Sequence, residues 1–99
     1  MYAVFRSTHY ASGGDVVATP AYQQFNDAHA AQPGYRGTIV ADVGDGQLLT
    51  VTLWDSAEAM KAAREAIGPV VGKALGPMLT APAVLLGTGR VVVNDLVPR

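Results

Sequence analysis

The alternation of apolar and polar positions along the chain divides it into six elements. Tyr2 to Ser7 (YAVFRS) is rich in β-formers and predicts a first strand. Ser12-Gly13-Gly14 marks a flexible polar connection over Ala11 to Asp15. At Thr19-Pro20 the period changes. The Thr19 hydroxyl can cap the first free amides of a helix, and Pro20 suits its first position because the missing donor is not needed there. Tyr22, Phe25, Ala28 and His29 recur at helical spacing and give this helix one moderately apolar face. It should stop before Pro33-Gly34, a pair suited to the centre of a type II turn.

Two strands are expected next, Tyr35 to Val43 and Gln47 to Trp54, joined through Gly44-Asp45-Gly46. An Asp-Gly pair between β-rich stretches is a strong hairpin signal, because both turn positions need positive φ. In the second of these strands Leu49, Val51 and Leu53 share one face, and Leu48, Thr50, Thr52 and Trp54 share the other. One face is therefore wholly apolar and the other mixed. Asp55-Ser56-Ala57-Glu58 predicts a capping box, Asp55 with Glu58, that opens a second helix. Ala57, Met60, Ala63, Arg64 and Ile67 continue it with helical periodicity. Gly68-Pro69 should interrupt or kink it, since proline removes a backbone bond. A further helical piece over Val70 to Leu79 would bury Val71, Ala74, Leu75 and Met78. The last strand is expected from Ala83 to Val93, with Asn94 to Arg99 as a short tail. Val91-Val92-Val93 would place apolar side chains on both faces of that strand, as in a strand buried on both sides.

The order β-α-β-β-α-β predicts an α+β, ferredoxin-like fold: an antiparallel sheet with both helices on one face. At 99 residues the chain has room for one core and no second domain, so residues 1–99 are read as a single domain. Composition adds a partner. Apolar residues make up 49% of the chain and charged residues 15%, where soluble domains carry roughly 25% charge. The bare face of the sheet would then be an apolar patch larger than monomers tolerate, and a homodimer through that open face is the expected assembly. Apolar runs are too short for a membrane-spanning helix, which needs about 18 residues; the longest, Ala81 to Val93, is broken by Pro82, Gly87, Gly89 and Arg90. Net charge is −1 with no Lys/Arg run, which argues against nucleic acid or an anionic membrane surface as partner. There is no cysteine, and so no disulfide, thiolate nucleophile or thiolate metal site. The chain enters a strand at once, with no basic region and apolar signal core, and a cytoplasmic location is the default expectation.

The stretch Pro33-Gly34-Tyr35-Arg36-Gly37, then a strand, the Gly-Asp-Gly turn, and a strand ending Thr52-Leu53-Trp54-Asp55-Ser56-Ala57-Glu58-Ala59, resembles the antibiotic biosynthesis monooxygenase type of dimeric α/β barrel. The likeness covers about residues 33 to 64 and extends beyond them only in the order of elements. It implies a dimeric barrel in a superfamily that includes cofactor-free oxygenases of aromatic polyketides, haem-degrading enzymes and enzymes that process aldehydes or lactones. Haem-degrading members pair a strand asparagine and a helix histidine with a helix tryptophan. Here the first strand offers Arg6 and Ser7, and the second helix has no histidine, so haem degradation is not expected. The sole tryptophan, Trp54, falls where the resemblance places a mainly structural residue.

The candidate chemistry is acid–base rather than nucleophilic. His29 shares its helical face with Tyr22 and Phe25 and points toward the sheet; it could take a proton from a phenol or an enol, with Tyr22 as a hydrogen-bonding partner. Its alternative role is a core-edge histidine bonded to a backbone carbonyl near the Pro33-Gly34 turn. His9, with Tyr10, is expected in a loop at the sheet's end, either as a second candidate base or as an ordinary exposed residue. Trp54 could stack on a flat ligand or anchor the second helix against the sheet. Arg6 is either an ion-pair partner at the dimer seam, with Asp42 or Asp55, or a charge facing a ligand. With Phe25 these make the expected substrate-binding set: Arg6, Phe25 and Trp54. No metal spacing is present, since Asp27-x-His29 alone is weak, and Gly87-x-Gly89 is too short for a dinucleotide fingerprint. The reading is a small oxygenase-like enzyme without metal, flavin or other cofactor, acting on a small apolar or aromatic molecule. Its alternative is a non-catalytic dimer that binds a small ligand or is purely structural.

Overall fold

The computed structural model describes residues 1–96. Residues 97–99 of the expected tail lie outside them, as does the side chain of Val71. The elements are β1 (Tyr2–His9), α1 (Pro20–Ala30), β2 (Tyr35–Gly44), β3 (Gln47–Trp54), α2 (Ala57–Ala74) and β4 (Val84–Arg90), with short 3₁₀ turns at Gly13–Ala18 and Gly76–Met78. The strands form one antiparallel sheet in the order β2-β3-β1-β4, the ferredoxin-like arrangement.

Local chemistry accounts for most boundaries. Thr19 caps α1: its hydroxyl accepts from the Tyr22 amide at 3.3 Å and donates to the Val16 carbonyl at 2.7 Å, and Pro20 opens the helix. The Pro33-Gly34 turn is closed by the Tyr35 amide on the Gln32 carbonyl at 3.2 Å. Gly34 has φ +84°, and a Cβ there would lie 2.6 Å from the Ala59 side chain, so both conformation and space require glycine. Asp45 and Gly46 both have positive φ, 55° and 79°, between paired Gly44 and Gln47, as the two-residue hairpin requires.

Four sequence expectations are corrected. β1 runs on to His9, because β3 begins immediately after the hairpin and the ladder continues to the pair His9–Gln47. His9 is therefore a strand residue and not a loop residue. The cap of α2 is Ser56, whose hydroxyl accepts from the Ala59 amide at 3.1 Å, while the Asp55 carboxylate is engaged by Arg36. The helix α2 passes through Gly68-Pro69 without a break. Pro69 lies on an exposed turn, where water can satisfy the carbonyl that loses its amide partner. Finally, β4 ends at Arg90, opposite Tyr2 at the start of β1. Beyond it the ladder gains one bond, from the Val91 amide to the Met1 carbonyl at 2.9 Å, and then has no neighbour to pair with. Val92 and Val93 are 79% and 78% exposed instead of buried on both sides.

Both helices cover the mixed face of the sheet. Val4 and Trp54 pack with Met60, Ala63 and Ile67 of α2 in one apolar cluster. Tyr10 and Leu48 pack with Val16, Tyr22 and Leu75 in a second, and Phe25 of α1 lies against both. The wholly apolar face is the one left open. Across it runs the row Ile39–Val51–Phe5, paired strand to strand, with Leu49 and Val84 in the neighbouring row. Phe5 is 43% and Ile39 47% exposed there.

Candidate functional site

Between the helices and the mixed face of the sheet lies a cavity of about 220 Å³. Its floor is built by strand alternation. Every second residue of β1 points under the helices, which places Arg6 and Thr8 there, and the same rule places Thr50 and Thr52 of β3 and Thr38 of β2 beside them. In a fully packed sheet these positions would carry leucine or valine. Threonine is shorter than leucine, and relative to valine, which it matches in size, it brings a hydroxyl to the cavity floor. α1 contributes Tyr22, Phe25 and His29 from one face, α2 contributes Arg64 and Ile67, and Leu75 and Leu79 close the end.

His29 is the best defined polar group. It is buried, and its Nδ1 lies 3.1 Å from the Phe25 carbonyl oxygen. A carbonyl can only accept, so Nδ1 carries the proton and the neutral ring leaves its lone pair on Nε2. Burial holds the imidazole pKa below the ordinary histidine value; the Phe25 bond opposes this and the positive charge of Arg6 reinforces it. No side-chain nitrogen or oxygen among the described residues is both sealed and unpartnered, so Nε2, which bonds to none of them, is not sealed, and His29 lines the cavity. The ring is fixed by the Phe25 edge at 4.3 Å and by Trp54 at 6.2 Å.

Tyr22 is the complementary donor. Burial and, after it, neighbouring Tyr10 push its phenol up to about 12, so it stays protonated across the physiological range. Tyr10 is raised in the same way by burial, against a hydrogen bond with Thr8. Arg6 is half-buried, and its pKa is lowered first by burial and then by the charge of Arg64. It faces the cavity and not the open face of the sheet. Within the protomer Asp55 pairs with Arg36, and the Asp42 carboxylate accepts from the Gly44 amide at 2.9 Å.

The structure thus brings together Arg6, Tyr22, Phe25 and His29. It does not bring His9, whose place in β1 is on the opposite face, paired with Gln47. Trp54 is buried behind His29 and packs edge-on against Tyr35 with centroids 5.7 Å apart; it supports the site without lining it. Arg64 and the threonines were not singled out from the sequence. The alternation of Thr50 and Thr52 with leucine and valine was the one visible signal, a strand face too short and too polar to fill the space under a helix. Among the described residues there is no cluster of His, Asp or Glu able to hold a metal ion, and no helix long and apolar enough to cross a membrane.

No protein-family model and no curated protein sequence matches this chain. Solved structures do. A protein of unknown function from Nitrosomonas europaea superposes with a TM-score of 0.75 at 11% identity, over 99% of this chain and 95% of that one. A putative antibiotic biosynthesis monooxygenase from the same organism gives 0.72 at 9% identity, over 94% and 100%. SnoaB, a cofactor-independent oxygenase from Streptomyces nogalater, gives 0.69 at 16% identity in its N63A form, over 96% and 95%. The chain therefore has the fold shared by these three proteins.

Proposed function

We propose that this protein is a homodimeric, cofactor-independent oxygenase acting on a phenol or enol of one or two rings. The observation that carries the reading is His29: neutral, immobilised through Nδ1, and offering Nε2 to an apolar cavity beside a protonated phenol. A void of roughly 150 Å³ accommodates benzene. At about 220 Å³ the cavity suits a single substituted ring or two fused rings. The name of SnoaB supports chemistry without a cofactor on this fold.

In the proposed reaction His29 Nε2 takes the substrate hydroxyl proton, and the resulting anion carries carbanion character at a ring carbon. Tyr22 stabilises the anion by donating to it. That carbon passes electrons to dioxygen and forms a C–O bond, giving a hydroperoxide. The proton held by His29 completes that hydroperoxide; His29 Nε2 then accepts the ring C–H proton as the O–O bond breaks, and the expelled hydroxide takes this proton from His29 to leave as water. A phenol and one dioxygen become a quinone and one water, with no outside reductant. The dimer reading rests on the open apolar face around Phe5, Ile39, Val51 and Leu49.

The test is oxygen uptake with a panel of hydroxynaphthalenes, corrected for spontaneous oxidation. One dioxygen consumed per quinone formed, without hydrogen peroxide, and abolished in a folded His29→Ala variant, is the expected result. Turnover equal in that variant removes His29 as base and the reading with it.

A further inference from the structure

Among the described residues the cavity carries two positive charges and no carboxylate to balance them. Arg6 rises from β1 and is half-buried; Arg64 reaches the same cavity from α2 at the exposed rim. They are near enough for the charge of Arg64 to act on Arg6. No aspartate or glutamate lines the cavity, and among the described residues neither arginine is paired with a carboxylate. The acidic side chains that could have served are committed elsewhere, Asp55 to Arg36 and Asp42 to the hairpin amide. His29 supplies no negative charge, and Tyr22 remains a neutral donor. Two like charges that share a partly desolvated apolar cavity repel each other, and an anion placed between them removes the repulsion. The planar guanidinium fork fits a carboxylate through two parallel bonds, which a phenolate oxygen cannot offer.

Resting on the oxygenase reading above, we infer that the substrate is an aromatic acid of one or two rings, whose carboxylate is held between Arg6 and Arg64 while its separate hydroxyl faces His29. The carboxylate anchors and selects; it takes no part in proton transfer. The arginines then discriminate against neutral phenols of the same shape, and the apolar walls from Phe25, Ile67 and Leu75 discriminate against small inorganic anions.

Calorimetric titration with naphthoate, naphthol and naphthylmethylamine, all substituted at the same position, tests this on the wild-type protein. Naphthoate should bind roughly tenfold or more tightly than naphthol, and the amine not measurably, since hydrogen bonds to a charged group exceed neutral ones by about that factor. Added salt should weaken naphthoate and leave naphthol unchanged. Arg64→Gln lies on an exposed helix position and is expected to fold; it should lose most of the naphthoate preference while keeping naphthol affinity. Naphthol binding as tightly as naphthoate, or Arg64→Gln and Arg6→Gln both leaving naphthoate affinity intact, overturns the inference and leaves the oxygenase reading standing. Naphthoate bound as expected, with a hydroxynaphthoate that is never oxidised, does the reverse. If no naphthalene binds, both fall.

Discussion

The Nδ1 of His29 lies 3.1 Å from the carbonyl oxygen of Phe25, one helical turn earlier, and that bond decides which ring nitrogen is free. An unbonded imidazole would exchange tautomers. Here the lone pair is directed away from the α1 backbone. Because burial lowers the His29 pKa, the base form is already present at neutral pH and persists on mild acidification. Turnover should therefore be flat above the ordinary histidine value of 6.5 and fall only below it, along a single protonation curve. A pH–rate profile for kcat/KM checks this, and a midpoint above 6.5 would contradict it.

The same shift has a consequence for stability, with its own sign. The unfolded chain binds the His29 proton at the ordinary value, while the folded chain resists it to a lower pH. Acidification through 6.5 therefore favours unfolding, and the loss levels off once the folded form is also protonated. Denaturant midpoints taken between neutral pH and mild acid should fall for the wild type. In His29→Gln that part of the decline should be absent.

Tyr22→Phe separates donor from scaffold. The ring packs in the second apolar cluster and against Phe25 at 5.7 Å, while the hydroxyl bonds to none of the described residues. Removing the hydroxyl should change unfolding free energy by no more than about 0.5 kcal/mol and weaken an anionic ligand by roughly 1.5–3 kcal/mol. Thermal unfolding and ligand titration on the same sample distinguish the two.

The start of α2 offers a direct comparison of neighbours. Ser56→Ala removes the cap and should cost about 1 kcal/mol, whereas Asp55→Ala loses an exposed pair with Arg36 worth roughly 0.2–1 kcal/mol. Equal losses would mean that the cap contributes nothing beyond the ion pair. Trp54→Ala, by contrast, opens the core behind His29 and should cost about 3–5 kcal/mol.

For the open face, Phe5→Lys puts a charge into the apolar row Ile39–Val51–Phe5. Light scattering behind size exclusion should show the wild type as a dimer and the variant as a monomer. A wild-type monomer at micromolar concentration would refute the assembly.

The elements of this fold were legible because their signals are local. Thr19-Pro20 caps and opens α1, Asp45-Gly46 needs positive φ, and the period of 2 in β3 separates Leu49, Val51 and Leu53 from Thr50, Thr52 and Trp54. The errors arose where pairing partners decide. The register of β1 with β3 carries His9 into the sheet, and the limit of β1 ends β4 at Arg90 before the valine run. Which face of β3 the helices cover is likewise a tertiary matter. Periodicity placed His29 with Tyr22 and Phe25 on α1, but it could not bring Arg64 to them, since the packing of α2 against α1 is a tertiary contact that the period of neither helix encodes.

The cavity lies where the two apolar clusters would otherwise merge, and Phe25 is the residue that packs against both. The core is thus held as two halves joined through Phe25. Each half can open with its own free energy, so amide exchange should reveal two classes of slow protons, one following Trp54 and Met60, the other Leu48 and Val16. A ligand that touches Ile67 on one side and Leu75 on the other becomes the missing centre of the core and fuses the two classes into a single cooperative unit.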